Sequence, residues 1–186
     1  FSHSRVTLEG TGNIYLEAQA VAALANSTVE ISAGTMFLAG LSQLDVEASS
    51  RLDVSASLLC KNSSRLRVQQ SLASVGGRVE VGDAAQAHLV ASQVQIGSAH
   101  GRGNLHLSQM ALLRVQNNSL LTLTGDVRLQ DQAQLEVQAG SALVVEGQGV
   151  LLLTHEALLR IQDRSLVSVA QGRVVVEGQA RVEVTH

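Results

Sequence analysis

The chain has 186 residues, 45% of them hydrophobic, with 13 Lys and Arg against 16 Asp and Glu and a formal net charge of −3. Basic residues are scattered, so there is no basic stripe for nucleic acid. No apolar run approaches a membrane-spanning helix, and no basic amphipathic helix suggests surface insertion, so no membrane insertion is expected in this segment.

Read in chain order, the sequence repeats. An apolar-x-apolar unit recurs every seven or eight residues, and every third copy matches best. Residues 111–116, 133–138, 157–162 and 180–184 echo one another most clearly. Such a unit puts two side chains on one face of a strand and one on the other. Taking the first apolar residue of each copy as its anchor, three columns emerge. The first reads Val6, Val29, Leu52, Leu72, Val94, Leu121, Leu143, Val167. The second reads Ile14, Met36, Leu58, Val79, Leu105, Val127, Leu151, Val174, with Val150 an acceptable substitute for Leu151. The third reads Ala22, Leu44, Leu66, Ala87, Leu113, Leu135, Leu159, Val182, with spacings of 22, 22, 21, 26, 22, 24 and 23.

Like matching like at this period predicts a solenoid. The expected fold is all-β: a three-sided parallel β-helix of about eight coils of roughly 22 residues, forming one domain over residues 1–186. Eight coils at the strand spacing give a rod roughly 40 Å long. The rival, a β-sandwich, also predicts turn signals every 8–12 residues but not a three-fold alternation. It usually supplies buried aromatics and prolines, whereas this chain has two Phe, one Tyr, no Trp and no Pro. Proline's absence suits coils whose backbone N–H groups are nearly all needed for the ladder. Corners are expected where Gly, Ser, Asn, Asp and Gln gather, as at Asn26-Ser27, Gly76-Gly77, Gly125-Asp126 and Gly147-Gln148-Gly149.

The middle residue of each unit should face solvent. In the first column these are Thr7, Glu30, Asp53, Ala73, Gln95, Thr122, Val144 and Ser168, too mixed for an ice-binding face. The third column alternates in charge, with Asp45 beside Arg67, then Arg114, Glu136, Arg160 and Glu183. Opposite charges one strand apart support register between similar coils. Gln116, Gln138 and Gln162 form a short amide column beside them. In the second column, Tyr15, Phe37 and Leu59 precede Glu80, His106 and Arg128, and Leu152 and Val175 follow. An exposed apolar stack of this kind marks a possible contact face, unless a flanking segment of the chain covers it.

Little points to catalysis or to a cofactor. Parallel-coil enzymes that cut acidic polysaccharides need several carboxylates on one face and a cleft of long loops, and here Asp and Glu are dispersed. The one clear insertion is residues 97–104. His100, Arg102 and His106 make it a possible loop site, but two histidines without a nearby carboxylate or thiolate are a weak metal signal. Cys60 is the only cysteine and sits at an inward position, as a small buried hydrophobe would. Asn26, Asn62 and Asn117 open three sequons at expected corners, where glycans would project if the protein is secreted.

Residues 12–18 and 27–34 resemble the repeats of filamentous-haemagglutinin-like adhesins and autotransporter passengers. The resemblance lies in repeat style and runs loosely along the whole chain. It implies a right-handed parallel β-helix and an extracellular or cell-surface location.

The leading expectation is a non-enzymatic structural rod of an extracellular fibre or surface adhesin. The chain begins at Phe1 without a Met, which suggests a processed protein, a segment of a longer chain or a polymerising unit. Strand edges near Val6 and Val184 should pair with flanking solenoid turns or another copy, and a host or matrix glycan or protein is a further possible partner. Two alternatives stand: a carbohydrate-binding or polysaccharide-cleaving β-helix, and a bactofilin-like intracellular polymer.

Overall fold

The computed structural model describes residues 2–98 and 101–185. These residues form three parallel eight-stranded sheets, each built from every third strand in order. The first coil runs through strands Arg5–Leu8, Ile14–Leu16 and Val21–Ala25. The eighth runs through Leu166–Val169, Arg173–Val176 and Arg181–Thr185. No helix occurs among the described residues.

All three columns appear as continuous register. Val6 pairs Val29, Ile14 pairs Met36 and Ala22 pairs Leu44, and the pairing continues unbroken to Val167, Val174 and Val182. Leu151, not Val150, is the inward member of its strand, pairing Val127 and lying buried. One anchor is corrected. Leu52 and Val94 pair with Ala73, not Leu72. Leu72 is exposed and Ala73 is inward, so the outward residue of that coil is Ser74. The larger apolar side chain lost to the alternation of the strand, because a one-residue slip would move every side chain to the wrong face.

The inward residues of coils two to seven are buried almost without exception, and each strand contributes two of them. A fully buried Leu or Val contributes about 1.5–3 kcal/mol relative to exposure. Cys60 is one of this set, and burial pushes its thiol up to about 12. An apolar void of about 30 Å³ lies beside Ala73 and Ala87, where two inward positions carry only a methyl group.

The corners obey a rule of their own. Two residues before every first-column anchor stands a serine: Ser4, Ser27, Ser50, Ser71, Ser92, Ser119, Ser141 and Ser165. Two residues before the second-column anchors stand Gly12, Gly34, Ala56, Gly77, Gly103, Gly125, Gly149 and Gly172. Two residues before the third-column anchors stand Ala20, Ser42, Ser64, Ala85, Ala111, Ala133, Ala157 and Ala180. The chain bends inward at these positions, so only small side chains fit.

Each corner closes differently. At the serine corner the N–H of one serine donates to Oγ of the serine in the next coil, at 3.1–3.3 Å, from Ser4 through to Ser165. The hydroxyls in turn donate to carbonyls two or three residues back, as Ser27 does to Ala25 and Ser119 to Gln116. At the glycine corner the carbonyl of one coil presses on the next. A Cβ at Gly34 would lie 1.7 Å from the Gly12 oxygen, one at Gly149 2.3 Å from that of Gly125, and one at Gly172 1.7 Å from that of Gly149. At the alanine corner a four-residue turn repeats in every coil, closed by N–H bonds such as Ala133 to Gln130 and Ala157 to Thr154. Its second residue takes positive φ, from Ala18 through Asn62, Asp83 and Asp131 to His155.

The 26-residue coil is explained by the insertion between Ile96 and Leu105. Val94 still pairs Leu121 and Leu105 still pairs Val79, so the extra residues leave the register untouched.

Candidate functional site

Strand alternation places the Tyr15, Phe37 and Leu59 side chains in one outward row on the second sheet, because their strands pair in register. The Tyr15 and Phe37 rings stack with centroids 4.8 Å apart and planes 2° from parallel. Asn13 Nδ2 donates to the Tyr15 hydroxyl at 3.2 Å. Tyr15 is 56% exposed, while Phe37 and Leu59 are half-buried. The columns place both rings outward, but Phe37 is flanked by Tyr15 and Leu59 in the adjoining strands, which leaves Tyr15 as the exposed member.

Beyond Leu59 the row becomes a charge cluster. Glu80 accepts from Lys61 and lies 2.6 Å from Arg78. Burial opposes ionisation of Glu80, but the Lys61 hydrogen bond together with the charges of Arg78, Lys61 and His106 holds its pKa below the usual carboxylate value. His106 Nδ1 sits 2.7 Å from Arg78 and its Nε2 2.9 Å from Gln130 Oε1. Arg128 pairs with Asp126 at 3.2 Å.

His106 is therefore a strand residue gripped from both sides, on the sheet rather than in the insertion. Arg102 is exposed. His100 lies outside the described residues. No group of three or more His, Cys, Asp or Glu among the described residues is placed to hold a metal ion. The base of the insertion is pinned: Ser98 and Gly101 exchange backbone hydrogen bonds, Gly103 N–H donates to Thr124 Oγ1 at 3.1 Å, and that hydroxyl donates to the Gly101 carbonyl at 2.9 Å.

The charge column on the third sheet is largely as expected. Arg114 pairs Glu136 at 2.6 Å, Glu136 pairs Arg160 at 3.3 Å, and Arg160 pairs Glu183 at 3.0 Å. Gln138 Nε2 donates to Gln116 Oε1 at 3.3 Å, whereas Gln162 donates to Thr185 at 3.2 Å instead of continuing the amide column. Asp45 and Arg67 are register partners but form no ion pair. Gln43 Nε2 occupies Asp45 Oδ2 at 2.7 Å, and Arg67 reaches Glu47 at 3.8 Å. His88 follows Arg67 and precedes Arg114 in this column. Burial lowers its pKa first, and Arg114, Arg67 and Arg65 lower it further.

Asn26, Asn62 and Asn117 are all exposed corner residues with positive φ, at 49°, 60° and 59°. Asn26 directly precedes the corner serine Ser27, Asn117 stands two residues before Ser119, and Asn62 is the second residue of a turn at the alanine corner. The three faces carry shallow open troughs. One of about 540 Å³ runs over Asp45, Arg67 and His88, and one of about 410 Å³ over Asp53, Ser74 and Gln95. In the second of these, Arg51 and Asp53 form an ion pair at 2.5 Å.

The serine and glycine corners are what residue-by-residue reading passed over. Their signal was present as a fixed offset of two residues before each anchor. No family model matches the chain, and neither a curated protein nor a solved structure shows significant similarity to it.

Proposed function

We propose that this chain is a structural β-solenoid rod of an extracellular fibre or surface adhesin, with no catalytic role. The observation that carries this reading is the unbroken register of eight coils with three dedicated corner chemistries. Each coil contacts mainly its neighbours, so the object is stiff along one axis and extends by adding coils. The exposed corner asparagines suit a glycosylated surface protein, and the Tyr15–Phe37 stack suits a contact with a host or matrix partner.

Protease shaving of intact cells, with an antibody to the folded rod, tests the location; protection of the chain until cells are lysed would sink it. Small-angle scattering tests the shape. A rod roughly 40 Å long is expected, and a compact particle would reject it.

A second reading has its own observation. Stacked aromatics with Tyr15 open to solvent suit the apolar face of a sugar ring. A glycan array should then show binding that Tyr15→Ser removes.

A further inference from the structure

We propose that the trough over Arg65, Arg67 and His88 on the third sheet binds an acidic saccharide, with the two arginines holding a carboxylate of the ligand. The site is additional to the rod reading. It lies on a different sheet from Tyr15 and spans coils two to five, from Gln43 to Asn117, away from both ends of the described residues.

The charge column holds two triplets with arginine on the outer strands, Arg67–His88–Arg114 and Arg114–Glu136–Arg160. In the second, the middle residue is a carboxylate and bonds both neighbours, at 2.6 and 3.3 Å. In the first, the same position carries an imidazole. Burial, then Arg114, Arg67 and Arg65, hold its pKa below the ordinary histidine value, so it is uncharged at pH 7. Two arginines thus flank a position where the column elsewhere places an acid, and the chain supplies none.

Nearby acids do not make up the deficit. Asp45 is the register partner of Arg67, but Gln43 Nε2 holds its Oδ2 at 2.7 Å. Glu47 stands 3.8 Å from Arg67, beyond hydrogen-bond distance. Arg65 is exposed and forms no ion pair among the described residues. Arg65 and Arg67 are two apart on the strand Arg65–Gln69, so both rise from its outward face. A guanidinium grips a carboxylate through two parallel N–H···O bonds, the strong form of this pairing.

The lining indicates what carries the carboxylate. At about 540 Å³ the trough is of ligand size. The amides of Gln69 and Gln86 line it and make no side-chain hydrogen bond among the described residues. Asp45 Oδ1 and His88 Nε2 are buried there without a partner among those residues, the mark of an incomplete polar site. A hydroxyl both donates and accepts, so a saccharide serves the amides, the carboxylate oxygen and either tautomer of His88. An acidic peptide fits less well. Every strand in these coils is paired on both sides, which leaves no sheet edge for a peptide backbone. The apolar lining residues, Leu66 and Val90, are buried and half-buried, so no exposed apolar surface receives peptide side chains.

Calorimetric titration at pH 7 with a β-1,4-linked glucuronate tetramer, against the glucose tetramer of the same linkage, is the test. The acidic tetramer should bind and the neutral one should not. Arg65→Ala and Arg67→Ala should each weaken binding roughly tenfold or more, the loss of a charge-assisted contact. His88→Glu puts into the first triplet the carboxylate that the second one has. It should melt no lower than the parent and lose binding. Should it fail to fold, the two exposed arginine variants decide alone. Parent-like binding by His88→Glu, or by the double variant Arg65→Ala/Arg67→Ala, overturns the site. Equal binding of the glucose tetramer overturns the role of the carboxylate. Equal binding of acetate reduces the site to one for a small anion, and tighter binding of an oligoglutamate assigns it to an acidic peptide; either overturns the saccharide. No binding of the acidic tetramer overturns the proposal and leaves the rod reading as it stands.

Discussion

The serine corner and the glycine corner meet the same demand, a sharp bend repeated eight times, with opposite physics. At the serine corner a side chain is added: its oxygen takes an N–H from the coil before and its hydrogen goes to a carbonyl of its own coil. At the glycine corner a side chain is removed, and the coils close until a carbonyl fills the gap. The first arrangement satisfies buried backbone donors, which would otherwise cost about 1–3 kcal/mol each. The second fixes spacing by contact, which rewards no polar group but tolerates little change. A corner built from hydrogen bonds should therefore fail gradually, and one built from contact should fail abruptly.

The largest expected effect is at the contact corner. Gly149→Val places a Cβ 2.3 Å from the Gly125 carbonyl and 2.6 Å from Val145 Cγ1. It should destabilise by about 3 kcal/mol or more, or prevent folding, read by urea unfolding against Gly12→Val as the neutral control, where nothing among the described residues lies within 4 Å of the Cβ position. An undisturbed midpoint would show that the corner can open.

At the bonded corner, Ser119→Ala strips the acceptor from Ser92 N–H and should cost about 1–3 kcal/mol. Ser71→Ala should cost less, because Ser50 N–H keeps the Glu47 carbonyl. Equal losses at the two serines would mean that the ladder acts only by filling space.

Away from both corners, Ala73→Val should fill part of the void beside Ala87 and stabilise by about 0.5–2 kcal/mol. A destabilised variant would show that corner spacing dictates core volume rather than the reverse.

The smallest effect is electrostatic. The folded state depresses the His88 pKa, through burial and then through Arg114, Arg67 and Arg65. Protonation thus favours the unfolded chain, so this contribution is present above about pH 6.5 and is lost as pH falls below it. His88→Gln should flatten the melting temperature between pH 7 and 5. An unchanged slope would assign it elsewhere. The Glu80 cluster, also depressed, should act only lower, through the carboxylate range.

The fold was legible because the inward positions repeat at one period, and seven of the eight first-column anchors fell at their true register. Leu72 was misread for a physical reason: hydrophobicity alone ranks Leu above Ala, and in that coil the inward site holds the small residue. Ser71, one position earlier, carried the correction, since every serine of the ladder stands two before its anchor. The pairing of Asp45 was not legible. Register fixes which residues are neighbours, but Gln43 and Glu47, each two positions along a strand, offered equally near partners. The stack of Tyr15 on Phe37 followed from the columns, and so did the greater cover on Phe37, which Tyr15 and Leu59 flank on its two sides.

The insertion between Ile96 and Leu105 has a consequence for how such a molecule changes over time. Its base is clamped by Thr124, and the coils on either side keep their alignment. The scaffold thus counts coils and ignores residues at this corner, since a surface loop pays little for added length. New peptide can enter there without re-solving the fold. The corner is a natural display position, where the solenoid can acquire a binding segment projected sideways from its axis.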